Sequence, residues 1–330
     1  MISSLPILHN ALEGTKRRFL RSLPPFLAGA GAALLLSGCF FTVTPERPCG
    51  ELPAAVRGDA SWFQVTPGDN LSCLRVFLPP DSFRRPVPAA VIFPGGAYAV
   101  LALEKEGCAY ASFLNRRGIA GIVVRYPLGS IFGHFSRHPA MVDTARRAVQ
   151  LTRYYAPQLG IDPRRVGVMG SSAGGHLAGL CIVCKDAADP RGKDPVTRCS
   201  SRPDFAVLCY PVVTMTGKYA HRRSRDNLLG SDPAPELLKQ LSLEQSLPDD
   251  APPVFLWTTR EDATVDPENT RLLDAALTRK KIPHRTVIYE KGPHGMGLLS
   301  PSQAEKYPET AKWPQEMIEF LRHRKILGDR

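Results

Sequence analysis

The chain has 330 residues, 43% hydrophobic and 22% charged, which excludes a disordered or collagen-like chain and leaves room for a sizeable core. Lys and Arg number 42 against 31 Asp and Glu, a formal charge of +11. The basic residues are scattered and form no stripe interleaved with aromatics, so nucleic-acid binding is not expected.

Near the N-terminus, Lys16, Arg17, Arg18 and Arg21 precede an apolar run over 26–36, which ends in Leu36-Ser37-Gly38-Cys39. That order of basic, apolar and small residues is an export signal. The run is about half of the ~20 apolar residues that span a bilayer. Leu-Ser-Gly-Cys resembles the bacterial lipobox, in which the cysteine becomes the lipidated first residue of the mature chain; a conventionally cleaved signal is the alternative. The expected organisation is a lipoprotein signal peptide over 1–38, a lipidated Pro-rich tether over 39–58 and one folded domain over 59–330. The chain is then expected in a bacterial cell envelope, anchored to a membrane through Cys39. Phe40, in place of the Asp that favours inner-membrane retention, points to the outer membrane.

Eight cysteines occur. Cys184 and Cys199 bracket a polar segment that a disulfide would staple, and Cys49 with Cys73 is a second candidate pair. Cys108 and Cys209 lie in apolar patterns and read as buried thiols. Cys181-Ile-Val-Cys184 has half the spacing of a zinc site, but no second such pair accompanies it. No metal or cofactor is expected.

Beyond the tether, short β-branched runs alternate with longer amphipathic stretches, the pattern of βαβ units around a parallel sheet. Strands are predicted at 74–78, 89–93, 120–125, 165–169, 205–210, 254–258 and 286–289. Most are continuous apolar runs, as strands buried on both faces should be. Helices are predicted at 106–117, 141–156, 173–184, 267–279 and 313–324, covering both faces. The connection over 215–250 is too long for an ordinary loop and reads as a partly helical cap.

Gly170-Ser171-Ser172-Ala173-Gly174 follows a predicted strand and opens a predicted helix, the context of a nucleophile elbow. Ser172 is the candidate nucleophile. A serine hydroxyl needs a base, and the base an orienting carboxylate. His294, in a Gly/Pro loop after the last strand, is the expected base; His176, one helical turn after Ser172, is its rival. After the strand at 254–258 come Glu261, Asp262 and Asp266. Asp262 is favoured because Val265, three residues on, can tuck inward while the carboxylate faces the histidine; Asp266 also suits a helix cap. Pro94-Gly95-Gly96-Ala97-Tyr98 follows a buried strand and can bring backbone N–H groups to a developing oxyanion. The expected donors are Ala173 with Gly96 or Ala97, and Tyr98 is placed as a pocket-lining residue.

These segments, together with Gly175-His176-Leu177-Ala178, Glu268-Asn269 and Gly292-Pro293-His294-Gly295, resemble the α/β-hydrolase superfamily, in particular bacterial esterases related to acetylxylan esterases and BD-FAE-type feruloyl esterases. The resemblance covers roughly residues 70–325. It departs at Ala97, where a third glycine is usual, and at Ser171, where Gly or Phe is frequent. It implies an α/β-hydrolase fold with a mostly parallel sheet, helices on both faces and a cap-like insertion near 215–250. It also implies a serine esterase for short acyl, often acetyl, groups on small molecules or polysaccharides. A prolyl-oligopeptidase-like peptidase and a non-catalytic glycan-binding lipoprotein are the alternatives.

Overall fold

The computed structural model describes residues 62–129 and 136–328. The export signal, Cys39, the tether and Cys49 lie outside them. Eight strands, β1 (Phe63–Gln64), β2 (Cys73–Phe77), β3 (Val87–Phe93), β4 (Ala120–Arg125), β5 (Ile161–Ser171), β6 (Ala206–Cys209), β7 (Val254–Thr259) and β8 (His284–Tyr289), form one sheet. Its order is β1-β2-β4-β3-β5-β6-β7-β8. Only the pairings of β2 with β1 and β4 are antiparallel; the rest are parallel. Every residue of β3 and β7 is buried, which is why their sequences read as unbroken apolar runs.

The helices that matter for the site are α1 (Ala109–Asn115), α2 (Ala140–Tyr154), α3 (Ala173–Val183), α4 (Arg222–Leu229), α5 (Pro235–Gln240), α6 (Leu243–Ser246), α7 (Glu268–Arg279) and α8 (Trp313–His323). Helices α2 and α3 pack on each other and on β5. Helices α1 and α8 meet where Tyr110 touches Trp313 edge-on, ring centroids 5.8 Å apart. Trp313 also stacks on Trp257 of β7 at 5.0 Å. Truncating a tryptophan so enclosed costs about 3–5 kcal/mol. The cap over 215–250 is the run of short helices α4, α5 and α6.

Proline accounts for one departure from the predicted boundaries. Pro88 cannot donate to a sheet ladder, and the register of β3 against β5 slips between Val87 and Ala89. The intervening residues of β5 bulge out, so that strand begins at Ile161 instead of 165. The helix expected over 106–117 opens with a π-helical turn, Leu103–Cys108, before α1.

Cysteine pairing also departs from expectation. Cys184 and Cys199 are free thiols. Their segment is held by polar contacts instead: Arg146 bonds Asp186 at 2.8 Å, Arg147 bonds Asp194 at 2.6 Å, and Gln150 donates to the Cys199 carbonyl at 3.0 Å. Cys73 is disulfide-bonded. Cys209 is buried as expected, and burial pushes its thiol up to about 12, while Cys108 is only partly covered. Among the described residues no cluster of three His, Cys, Asp or Glu is placed to hold a metal, and no helix is long and apolar enough to cross a membrane.

Candidate active site

Ser172 stands between β5 and α3 with φ 55° and ψ −123°, a backbone state that costs a non-glycine residue of order 1–3 kcal/mol. The surrounding bonds hold it there. Its N–H donates to the Cys209 carbonyl at 2.9 Å, and its own carbonyl accepts from His176 and Val212 at 3.0 and 3.1 Å. The turn is possible only with glycine beside it. A Cβ on Gly170 would lie 2.1 Å from the Gly174 oxygen, and one on Gly174 would lie 2.0 Å from the Phe93 oxygen. Close packing of the elbow on the end of β3 thus brings the nucleophile candidate beside the segment that follows Phe93.

Three side chains distant in sequence converge at this edge of the sheet. The Ser172 Oγ lies 2.9 Å from His294 Nε2, and His294 Nδ1 lies 2.6 Å from Asp262 Oδ2. The other Asp262 oxygen accepts the N–H groups of Thr264 and Val265, both at 2.9 Å. With the carboxylate acting as acceptor, Nδ1 carries the proton and Nε2 is bare, the tautomer that can accept from the serine hydroxyl. Tyr210 packs its ring against His294, centroids 4.9 Å apart. Glu261 accepts Gly292 N–H at 2.9 Å, while Thr259 Oγ1 donates to the Gly292 carbonyl at 2.6 Å. The histidine loop is thereby fixed at its root.

The remaining candidates have other partners. Asp266 accepts Glu268 N–H at the start of α7, 2.9 Å, which is the capping role. His176 is buried. Its Nε2 donates to the Leu241 carbonyl and its Nδ1 accepts from the Tyr98 hydroxyl, both at 2.8 Å. Burial holds its pKa down at about 4, so it is neutral and fully bonded. Tyr98 does not line an open pocket: it is completely buried, and its hydroxyl is committed to His176.

Ala97 and Tyr98 both have positive φ, 56° and 57°, and the turn is clamped from several sides. Ala99 and Val100 N–H groups donate to the Gly96 carbonyl at 3.0 and 3.1 Å, and Gly129 N–H donates to the Tyr98 carbonyl at 2.8 Å. Asn227, in the cap helix α4, donates to the Ala97 carbonyl at 2.8 Å. Among the described residues, the N–H groups of Gly96, Ala97 and Ala173 have no protein acceptor.

The BD-FAE family model matches residues 74–277. The chain belongs to the BD-FAE family. It is an α/β-hydrolase that resembles acetylxylan esterases. It is 36% identical over 211 residues to endo-1,4-beta-xylanase B of Butyrivibrio fibrisolvens, a match covering 64% of this chain and 32% of that one. It is 30% identical over 227 residues to an acetylxylan esterase of Xylanibacter ruminicola, covering 67% and 43%. The chain therefore spans less than half the length of these curated relatives. An acetyl ester-xyloside bifunctional hydrolase from Caldicellulosiruptor lactoaceticus superposes with a TM-score of 0.75 at 33% identity, over 82% of this chain and 98% of that one. Esterase Est2 of Thermogutta terrifontis, with a TM-score of 0.67 at 24% identity over 82% and 94%, shares the fold.

Two features of this BD-FAE chain escape a reading of its motifs. Asn227, Tyr210 and Glu106 brace the site from the cap, the sheet and a helix. Of these only Glu106 left a trace, a lone acid among Leu103, Tyr110, Phe113 and Leu114 at helical spacing. A cavity of about 760 Å3 also opens at the opposite ends of the strands, lined by Arg84, Arg85, Arg116, Arg117, Arg165 and Arg322. Part of the positive charge that seemed scattered in the sequence is thus gathered away from Ser172.

Proposed function

We propose that this BD-FAE protein is a serine carboxylic ester hydrolase for short acyl groups, acetyl above all, carried by small molecules or polysaccharides. The observation that carries this reading is the hydrogen-bonded chain Ser172–His294–Asp262, at 2.9 and 2.6 Å, beside backbone donors that have no partner among the described residues. Ser172 Oγ attacks the ester carbonyl while His294 Nε2 takes its proton. Asp262 keeps the imidazole in the working tautomer and balances the imidazolium. The oxyanion is met by Ala173 N–H together with that of Gly96 or Ala97, each donor worth about 2.7–4 kcal/mol. His294 returns the proton to the departing alcohol, and water attacks the acyl-enzyme by the same route. Acetylated xylan is favoured as substrate because relatives include an acetylxylan esterase and an acetyl ester-xyloside hydrolase.

The test is acetate release from acetylated xylan and from nitrophenyl acetate by the full chain and by Ser172→Ala. Loss of both activities in the variant is expected; unchanged turnover refutes the mechanism, and activity on nitrophenyl acetate alone refutes the polysaccharide assignment. The same reading places the enzyme at a bacterial envelope membrane, held by lipid on Cys39. Its support is the basic, apolar and Leu-Ser-Gly-Cys sequence of the N-terminus. Labelled palmitate should enter the protein and be absent from Cys39→Ala; equal labelling of the two refutes the anchor.

A further inference from the structure

The proposed chemistry leaves unused a buried acid that bonds the oxyanion segment. Glu106 lies in the π-helical turn Leu103–Cys108 and is buried. Its Oε2 accepts Gly95 N–H at 2.8 Å, and its Oε1 accepts the Tyr210 hydroxyl proton at 2.8 Å. The Tyr210 hydroxyl in turn accepts Gly297 N–H at 3.1 Å, three residues beyond His294. A backbone N–H can only donate, and of the two other neighbours of the Tyr210 hydroxyl, Glu106 Oε1 at 2.8 Å is nearer than the Tyr110 hydroxyl at 3.4 Å, so the phenolic proton goes to Glu106. One side chain therefore ties the loop of the oxyanion donors to the loop of the base.

The contact with Gly95 is close on every side. The Gly95 carbonyl accepts Ala102 N–H at 3.0 Å, so both its N–H and its C=O are held by the segment that carries Glu106. A Cβ on Gly95 would lie 2.7 Å from Glu106 Oε2 and 3.1 Å from Ser172 Cβ. The same Cβ would also lie 2.8 Å from the Ser171 carbonyl oxygen, so only glycine fits between the carboxylate and the elbow. By taking the Gly95 N–H, Glu106 fixes the peptide from which those of Gly96 and Ala97 continue, leaving their N–H groups for substrate. A carboxylate is costly to bury, and its bonds are roughly twice as strong as neutral ones. The π-turn is a separate sign, since such turns are rare and concentrate at functional sites.

We propose that Glu106 is a positioning residue of the hydrolytic reaction, setting the oxyanion donors and the His294 loop in one geometry through Gly95 and Tyr210. This rests on the ester-hydrolase reading above. Full-length parent, Glu106→Gln, Tyr210→Phe, the double variant and Ser172→Ala are compared on nitrophenyl acetate, with kcat and KM determined separately. The rate of inactivation by a nitrophenyl phosphonate, whose oxygen occupies the oxyanion position, is measured in parallel. Glu106→Gln is expected to lower kcat and phosphonylation together, about 10- to 100-fold, with KM within about threefold. The double variant should be no slower than the slower single one, because both changes cut one network. An unchanged kcat, a loss confined to KM, or single effects that multiply in the double variant each overturn the proposal. Should Glu106→Gln not fold, Tyr210→Phe decides: a fall in kcat at constant KM supports the network, and an unaltered kcat overturns it. Activity retained by Ser172→Ala would instead remove the ester-hydrolase reading, a result independent of Glu106.

Discussion

Acidification should reveal His176 as a stability switch. In the fold its Nε2 proton is spent on the Leu241 carbonyl and its Nδ1 accepts from the Tyr98 hydroxyl, so a second proton would reverse the Tyr98 bond and put a charge on a fully buried ring. Burial lowers its pKa from 6.5 to about 4. The unfolded chain takes up that proton near the ordinary value while the folded chain refuses it. The His176 contribution is therefore complete above about pH 6.5, falls as pH drops, and is spent near pH 4. The gap corresponds to about 3 kcal/mol, or very roughly 6–12 °C in Tm. Melting curves for the parent and His176→Gln between about pH 7.5 and pH 4 isolate it. The glutamine amide can serve Leu241 and Tyr98 without titrating. Asp162, Asp194 and Asp250, held low by hydrogen bonds and arginine or lysine partners, contribute equally to both proteins and cancel in the difference. The parent should lose more Tm than the variant over this range. Parallel losses would refute the reasoning.

Asp262→Asn should present an amide to His294 Nδ1 and favour the wrong tautomer, lowering kcat on nitrophenyl acetate by about 10⁴-fold; a loss under tenfold contradicts the relay. Gly174→Ala would place a methyl 2.0 Å from the Phe93 oxygen, and urea unfolding should show a loss above about 3 kcal/mol, or no folded protein; a near-neutral change means the elbow can yield. Alkylation in denaturant without reductant should tag both Cys184 and Cys199, whereas a disulfide-linked peptide pair in the digest contradicts their free state.

The three side chains that meet at the sheet edge, Ser172, His294 and Asp262, were legible because each sits on a turn whose chemistry is local. Gly170 and Gly174 are demanded by contacts under 2.2 Å, Asp262 follows the wholly buried β7, and His294 follows β8, which ends in Val287-Ile288-Tyr289. What the sequence concealed depends on contacts across the fold. Tyr98 looks like a pocket residue beside two glycines, yet its direction is set by His176 and by the positive φ at 97 and 98. Cys184 and Cys199 have plausible spacing for a staple, but the arginines of α2 already secure that segment. Glu106 defies the helical pattern in which an acid marks the wet face. Its partners, Gly95 and Tyr210, are 11 and 104 positions away, beyond any local pattern.

Ser172 and His294 are 122 positions apart, and His294 follows β8, a sheet edge whose strand partner is β7. On the proposed mechanism, a chain emerging from the ribosome in order carries Ser172 long before His294 is there to deprotonate it. Reactivity therefore arrives late, when the last strand docks, and a product ending before β8 would be inert however well its earlier strands had formed. On the proposed mechanism, ester hydrolysis would thus report the completion of folding, readable in a translation mixture without purification.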